Sequence, residues 1–144
     1  MKWIVFTFLI SSFLFSSNGQ TVVKATEQGW AGGVCCRSGT NYTATLLFAK
    51  EPTTISVDGV FLQNGGKMEA TIVQVTSLTK DTYYMIHFGT SHNQNEYPEM
   101  TKQKIEITER RNFEGKALIV LIINGKPKDV IIEEFEQLKF LAYP

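Results

Sequence analysis

Cys35 and Cys36 are the only two cysteines of the chain, and they are adjacent, in the segment Val34-Cys35-Cys36-Arg37-Ser38-Gly39. In an oxidising compartment two cysteines ordinarily read as a disulfide. Neighbouring Cα atoms are about 3.8 Å apart across a trans peptide, whereas ordinary disulfides span about 4.4 to 6.8 Å, so a vicinal bridge demands a strained backbone. Such a bridge encloses almost no chain and adds little stability through the unfolded state. It would be a redox or conformational element. The alternatives are separate thiols, facing opposite ways if the pair lies on a strand, an intermolecular bridge, or metal ligation. Arg37 beside an exposed thiol would favour its thiolate.

A structural zinc centre needs about four ligands. His87 and His92 are the other soft or borderline donors, and no spacing brings them to the cysteines, so neither a metal nor a cofactor is expected. The chain has no Gly-x-Ser-x-Gly elbow, no histidine pair at helical spacing and no phosphate-binding glycine loop. With no catalytic residues to assign, the chain reads as non-enzymatic. The stretch Gly89 to Glu99, GTSHNQNEYPE, lacks apolar periodicity and reads as a surface loop. Its Ser91, His92, Asn93, Asn95 and Tyr97 form the candidate binding loop for a protein or glycan partner. Asn41-Tyr42-Thr43 matches the N-glycosylation acceptor pattern, which matters only in a eukaryotic secretory pathway.

The elements that must position these residues are strands. Ala117 to Ile123 is an unbroken apolar run, followed by the turn dipeptide Asn124-Gly125 and a second apolar run. The first arm is therefore expected to be a central strand buried on both faces. Alternation of period two marks further strands at Asn41 to Ala49, Met68 to Leu78, Thr82 to Phe88 and Thr101 to Arg111. Thr53 to Gln63 is expected as one strand bulged at Asp58-Gly59, with a tight hairpin on short arms as the alternative. After Asp129 the spacing of Ile131, Phe135, Leu138 and Ala142 is helical, so a strand from Lys128 to about Glu133 is expected to give way to an irregular or single-turn helical segment that plugs Phe135, Leu138 and Leu141 into the core. The expected fold is an all-β, single-domain antiparallel sandwich of about six to seven strands, with a small closed barrel as the alternative.

The N-terminal stretch has one early cation, Lys2, an apolar run from Trp3 to Phe15, and Ser17 and Gly19 in a small-x-small arrangement before Gln20. This is the pattern of a signal peptide over 1–19, cleaved after Gly19. The apolar run is shorter than the roughly 20 residues that span hydrocarbon, so no transmembrane segment is expected after cleavage. Residues 20–39 read as an extended lead-in anchored by Trp30 and carrying the cysteine pair, and 40–144 as the sandwich domain. Formal net charge is zero, which gives no reason to expect nucleic acid as a partner. The basic cluster Lys102, Lys104, Arg110 and Arg111 is interleaved with Glu99, Glu106, Glu109 and Glu114 and reads as a solvated strand face. The sequence thus points to a secreted or periplasmic binding module, with a thiol-redox or metal-handling protein as the alternative.

Overall fold

The computed structural model describes residues 19–32, 37–63, 65–79, 81–93 and 110–144, with the backbone alone at 92 and 93. Among these residues every regular element is a strand: β1 (Gln20–Ala31), β2 (Arg37–Phe48), β3 (Ile55–Leu62), β4 (Lys67–Met68), β5 (Thr71–Thr76), β6 (Thr82–Asn93), β7 (Ala117–Ile123), β8 (Lys126–Ile132), β9 (Glu136–Gln137) and β10 (Leu141–Ala142). The larger sheet has the order β10-β1-β2-β6-β5, with β9 also on β1, and the smaller has the order β4-β3-β7-β8. Both sheets are open and pack on one core. The fold is the expected sandwich and not a closed barrel.

β7 lies between β3 and β8, and both of its rows of side chains are buried. Ala117, Ile119 and Leu121 join Ala44, Leu46, Val60, Ile86, Phe88, Val130 and Ile132 between the sheets. Leu118 and Val120 join Phe61 in a second cluster, packed by Phe113 and Ile131. The Arg111 guanidinium stands over the Phe61 ring at 5.4 Å from its centroid, where its charge meets the negative face of the ring. The β7–β8 turn has Asn124 at φ 51° and Gly125 at φ 80°, the left-handed pair that suits the twist of a two-residue hairpin. The Asn124 carboxamide oxygen also accepts from the amides of Thr53, at 2.9 Å, and Thr54, at 3.1 Å. The turn thereby ties down the connection into β3.

The bulge at Asp58 is present: the β3–β7 register shifts between Val57 and Gly59. Asp58 accepts from Lys67 at 3.1 Å. The Lys67 side chain lies so close over Gly59 that a Cβ there would come within 2.5 Å of its Cε.

Four expectations are corrected. Gln20 to Ala31 is no lead-in but a 12-residue strand paired along its length with β2. The apolar rows of β2 left an edge to be satisfied, and a polar strand with one half-buried tryptophan suffices for that. Met68 to Leu78 is two strands: β4 belongs to the smaller sheet and β5 to the larger, and the chain crosses the core edge at Glu69-Ala70. Gly89 to Asn93 continues β6 opposite Arg37 to Asn41, because backbone pairing does not need apolar side chains. Finally, the C-terminal tail has no helical turn. It runs parallel to β1 through the bridges Thr26↔Glu136, Glu27↔Gln137, Trp30↔Leu141 and Ala31↔Ala142. Of the three residues expected to plug the core only Phe135 packs against it, while Leu138 is 40% exposed. The unpaired edge of β1 overrode the helical spacing: the Leu138 amide donates to Glu27 O at 2.8 Å and the Tyr143 amide to Ala31 O at 2.9 Å. Thr101 to Glu109 of the expected Thr101–Arg111 strand lie outside the described residues, and Arg110 and Arg111 are not in a strand.

Tyr42 stacks on Phe88 with centroids 5.0 Å apart, and Phe135 tilts against it at 5.1 Å. Burial, with Glu27 nearby, raises the Tyr42 hydroxyl above the ordinary tyrosine value, against a smaller opposing effect of its hydrogen bond with Thr40. Burial, with Glu51 nearby, raises Tyr84 likewise. Folding therefore holds both protons more tightly than the unfolded chain does. The associated stability is intact below the ordinary value of 10.0 and is lost as pH rises through the raised folded values.

Val120, 2% exposed, changed to Asp buries an unpaired carboxylate and should cost several kcal/mol of the roughly 5 to 15 that hold a domain together, so soluble protein should not accumulate. Gly125→Ala meets nothing within 4 Å and should cost about 1 kcal/mol through its backbone angle alone. Gly115→Ala has φ 123° and would bring a Cβ within 2.7 Å of Ile131 Cγ2, so denaturant melts should rank it clearly below Gly125→Ala. Thermal melts against pH should begin to fall above about 10, and less steeply in the Tyr42→Phe, Tyr84→Phe double variant; equal slopes would exclude the tyrosines as the cause.

Candidate functional site

Cys35 and Cys36 lie outside the described residues, as do Asn95 and Tyr97 of the candidate loop. Ser91, His92 and Asn93 are strand residues opposite Gly39, Ser38 and Arg37. Ser91 is exposed, and its neighbourhood on the outer face of the larger sheet is shaped by Gly39. A Cβ at Gly39 would run into the Thr90 carbonyl and come within 2.8 Å of Trp30 Nε1, so glycine is what lets the indole lie flat on β2. His87 is on the same outer face, its Nδ1 3.0 Å from Thr43 Oγ1. Among the described residues no group of three or more His, Cys, Asp or Glu side chains is placed to hold a metal.

A different feature of the larger sheet stands out once the edges are compared. A sheet edge presents unpaired N–H and C=O groups, and proteins blunt such edges with charge, proline, bulges or covering chain. The β1 edge is covered by the tail, whose cover is reinforced by Gln28 donating to Lys139 O at 2.8 Å, Gln137 donating to Glu27 at 2.7 Å and the Lys24–Glu136 pair at 3.5 Å. The β8 edge carries Lys126, Pro127, Lys128 and Asp129. The β3 edge is covered in part by β4 and interrupted by the Asp58 bulge with its ion pair to Lys67.

β5 has none of these devices. Its sequence is Thr71-Ile72-Val73-Gln74-Val75-Thr76, without charge or proline, and it pairs only with β6 among the described residues. Ile72 turns to the core. Val73 and Val75 turn the other way and are 47% and 39% exposed, and Leu78 in the following turn is fully exposed. By register Val73 stands beside Met85 and Thr45, and Val75 beside Tyr83 and Leu47, so an apolar strip leads from the open edge across the outer face. Sequence reasoning found this strand but not its edge position. The uncharged, proline-free run was the available signal.

A second concavity opens at one end of the sandwich. It has a volume of about 540 Å³, and Phe48, Pro52, Ile123 and Pro127 line it together with Lys50, Lys126 and Lys128. Glu51 is the acid at this mouth, and Gln74 already donates to it at 3.1 Å. Gly19 also lines it, because Gln20 pairs with Phe48 at the start of β1.

Among the described residues no helix is long and apolar enough to cross a membrane. No family model, curated protein or solved structure matches the chain.

Proposed function

We propose that the protein is an exported, non-enzymatic binding module that takes up an extended segment of a partner protein as an added strand on β5. Export rests on the signal-like N-terminal stretch, and the assignment as a binder rests on the β5 edge, which no described strand covers, the single observation that carries it. Strand addition draws affinity from main-chain hydrogen bonds and specificity from alternate side chains. At β5 the alternate row faces Val73 and Val75, so the partner segment should be apolar at every second residue. The uncharged edge repels neither sign of partner, and the glycan reading of the Ser91 to Tyr97 stretch loses its premise of a free loop at Ser91 to Asn93. The thiol alternative keeps only its sequence basis.

Val73→Lys and Val75→Lys place gatekeeper charges on exposed positions and should change stability by no more than about 0.5 kcal/mol each. Peptides selected from a displayed random library on the unaltered protein should show alternating apolar residues. They should also slow amide exchange across Thr71 to Thr76, and their binding should weaken at least tenfold in the double lysine variant. Selected peptides that protect other amides, or bind the lysine variant equally, would remove β5 as the site.

A further inference from the structure

We infer that Gln20 is a modification site: after export removes residues 1–19, its side chain closes on its own α-amine and the mature chain begins with pyroglutamate. This rests on the export reading above and on cleavage after Gly19.

Gln20 is the first residue of β1 and pairs with Phe48, so a cut after Gly19 leaves no overhang, and the new terminus lies inside the sheet ladder. A free terminus would place an ammonium at the mouth lined by Phe48, Ile123 and the three lysines Lys50, Lys126 and Lys128, where Gly19 stands before the cut. Three like charges and an apolar wall oppose a further cation there, against one acid at that mouth, Glu51, whose carboxylate also accepts from Gln74. The Gln20 side chain offers the remedy. Its Oε1 is buried and has no hydrogen-bond partner, so ring closure breaks no hydrogen bond at that oxygen.

The step balances without oxidant or reductant. The α-amino nitrogen attacks Cδ, the N–Cδ bond forms, the Cδ–Nε2 bond breaks, and ammonia leaves with the proton that the amine gives up. The lactam is neutral and keeps one N–H and two carbonyl oxygens. It removes the charge from the mouth while leaving residue 20 a donor for the ladder. It also removes the free α-amine that aminopeptidases require, at the one place where trimming would unravel β1 from its end.

The test uses the full-length chain expressed in an exporting host, with intact mass, N-terminal peptide sequencing and amine labelling before and after prolonged incubation at neutral pH. The expected product begins at residue 20, is lighter by one ammonia than the sequence 20–144 requires, takes no label on its terminal peptide and resists aminopeptidase. Gln20→Asn, whose shorter side chain would close too small a ring, should keep its full mass, label at its terminus and be trimmed. A chain beginning at Gln20 that still labels after incubation overturns the modification and leaves export standing. A chain that begins elsewhere overturns both.

Discussion

β7 is the strand that cannot be left partly dressed. Its two rows of side chains are apolar, and Ala117 to Leu121 are all nearly inaccessible, so it needs neighbours on both edges and cover on both faces. β3 and β8 supply the edges through antiparallel ladders, that of β3 interrupted once at the Asp58 bulge. The larger sheet supplies one face. Phe61, Phe113 and Ile131 supply the other, with Arg111 over the Phe61 ring. Burying each Val, Leu or Ile is worth roughly 1.5 to 3 kcal/mol, and the four consecutive residues of this kind from Leu118 to Leu121 concentrate more of that driving force than any other stretch of the described residues. The rest of the fold can be derived as what satisfies β7: a second sheet long enough to lie across it, and a chain path that returns over its outer side.

Once the faces are satisfied, the remaining polar problem is at the edges. The chain handles three of them in three ways, by a covering tail on β1, by lysines and proline on β8, and by a bulge with an ion pair on β3. The tail shows how strong this demand is. Its apolar residues are spaced for a helix, yet it lies extended, and Leu138 and Phe140 remain largely exposed in consequence. Phe140 is not idle there: its ring lies against Gly29, 3.0 Å from where a Cβ would stand, so the glycine in β1 makes room for the tail.

Periodicity revealed what depended on local chemistry. The Asn124-Gly125 turn, the doubly buried β7, the bulge at Gly59 and the inward row Tyr42, Ala44, Leu46 and Phe48 are all decided by a few adjacent residues. Features decided by distant partners were illegible. β1 has no alternation strong enough to announce a strand, and it exists because β2 needs a neighbour. β4 and β5 read as one run because nothing in Met68 to Thr76 says that the chain changes sheets at Glu69-Ala70. The end of β6 looked like a loop because its side chains are polar, although its backbone has Arg37 to Asn41 to pair with. The candidate site followed the same division: the types of residue in β5 were visible, but its lack of a second neighbour among the described residues belongs to the assembled sheet.

The position of the open edge also bears on what binding there would do. β5 is joined by one ladder to β6, sends Ile72 to the core, and gains one side-chain tie through Gln74 to Glu51. Among the described residues it is thus the long strand with the least holding it, and local opening should be easiest there. A strand added to its free side would supply a second ladder without touching β7 or the clusters on either side of it. The binding energy would then go into ordering β5 itself, so that recognition and local stability are coupled at the edge while the core that defines the fold stays indifferent to whether the partner is present.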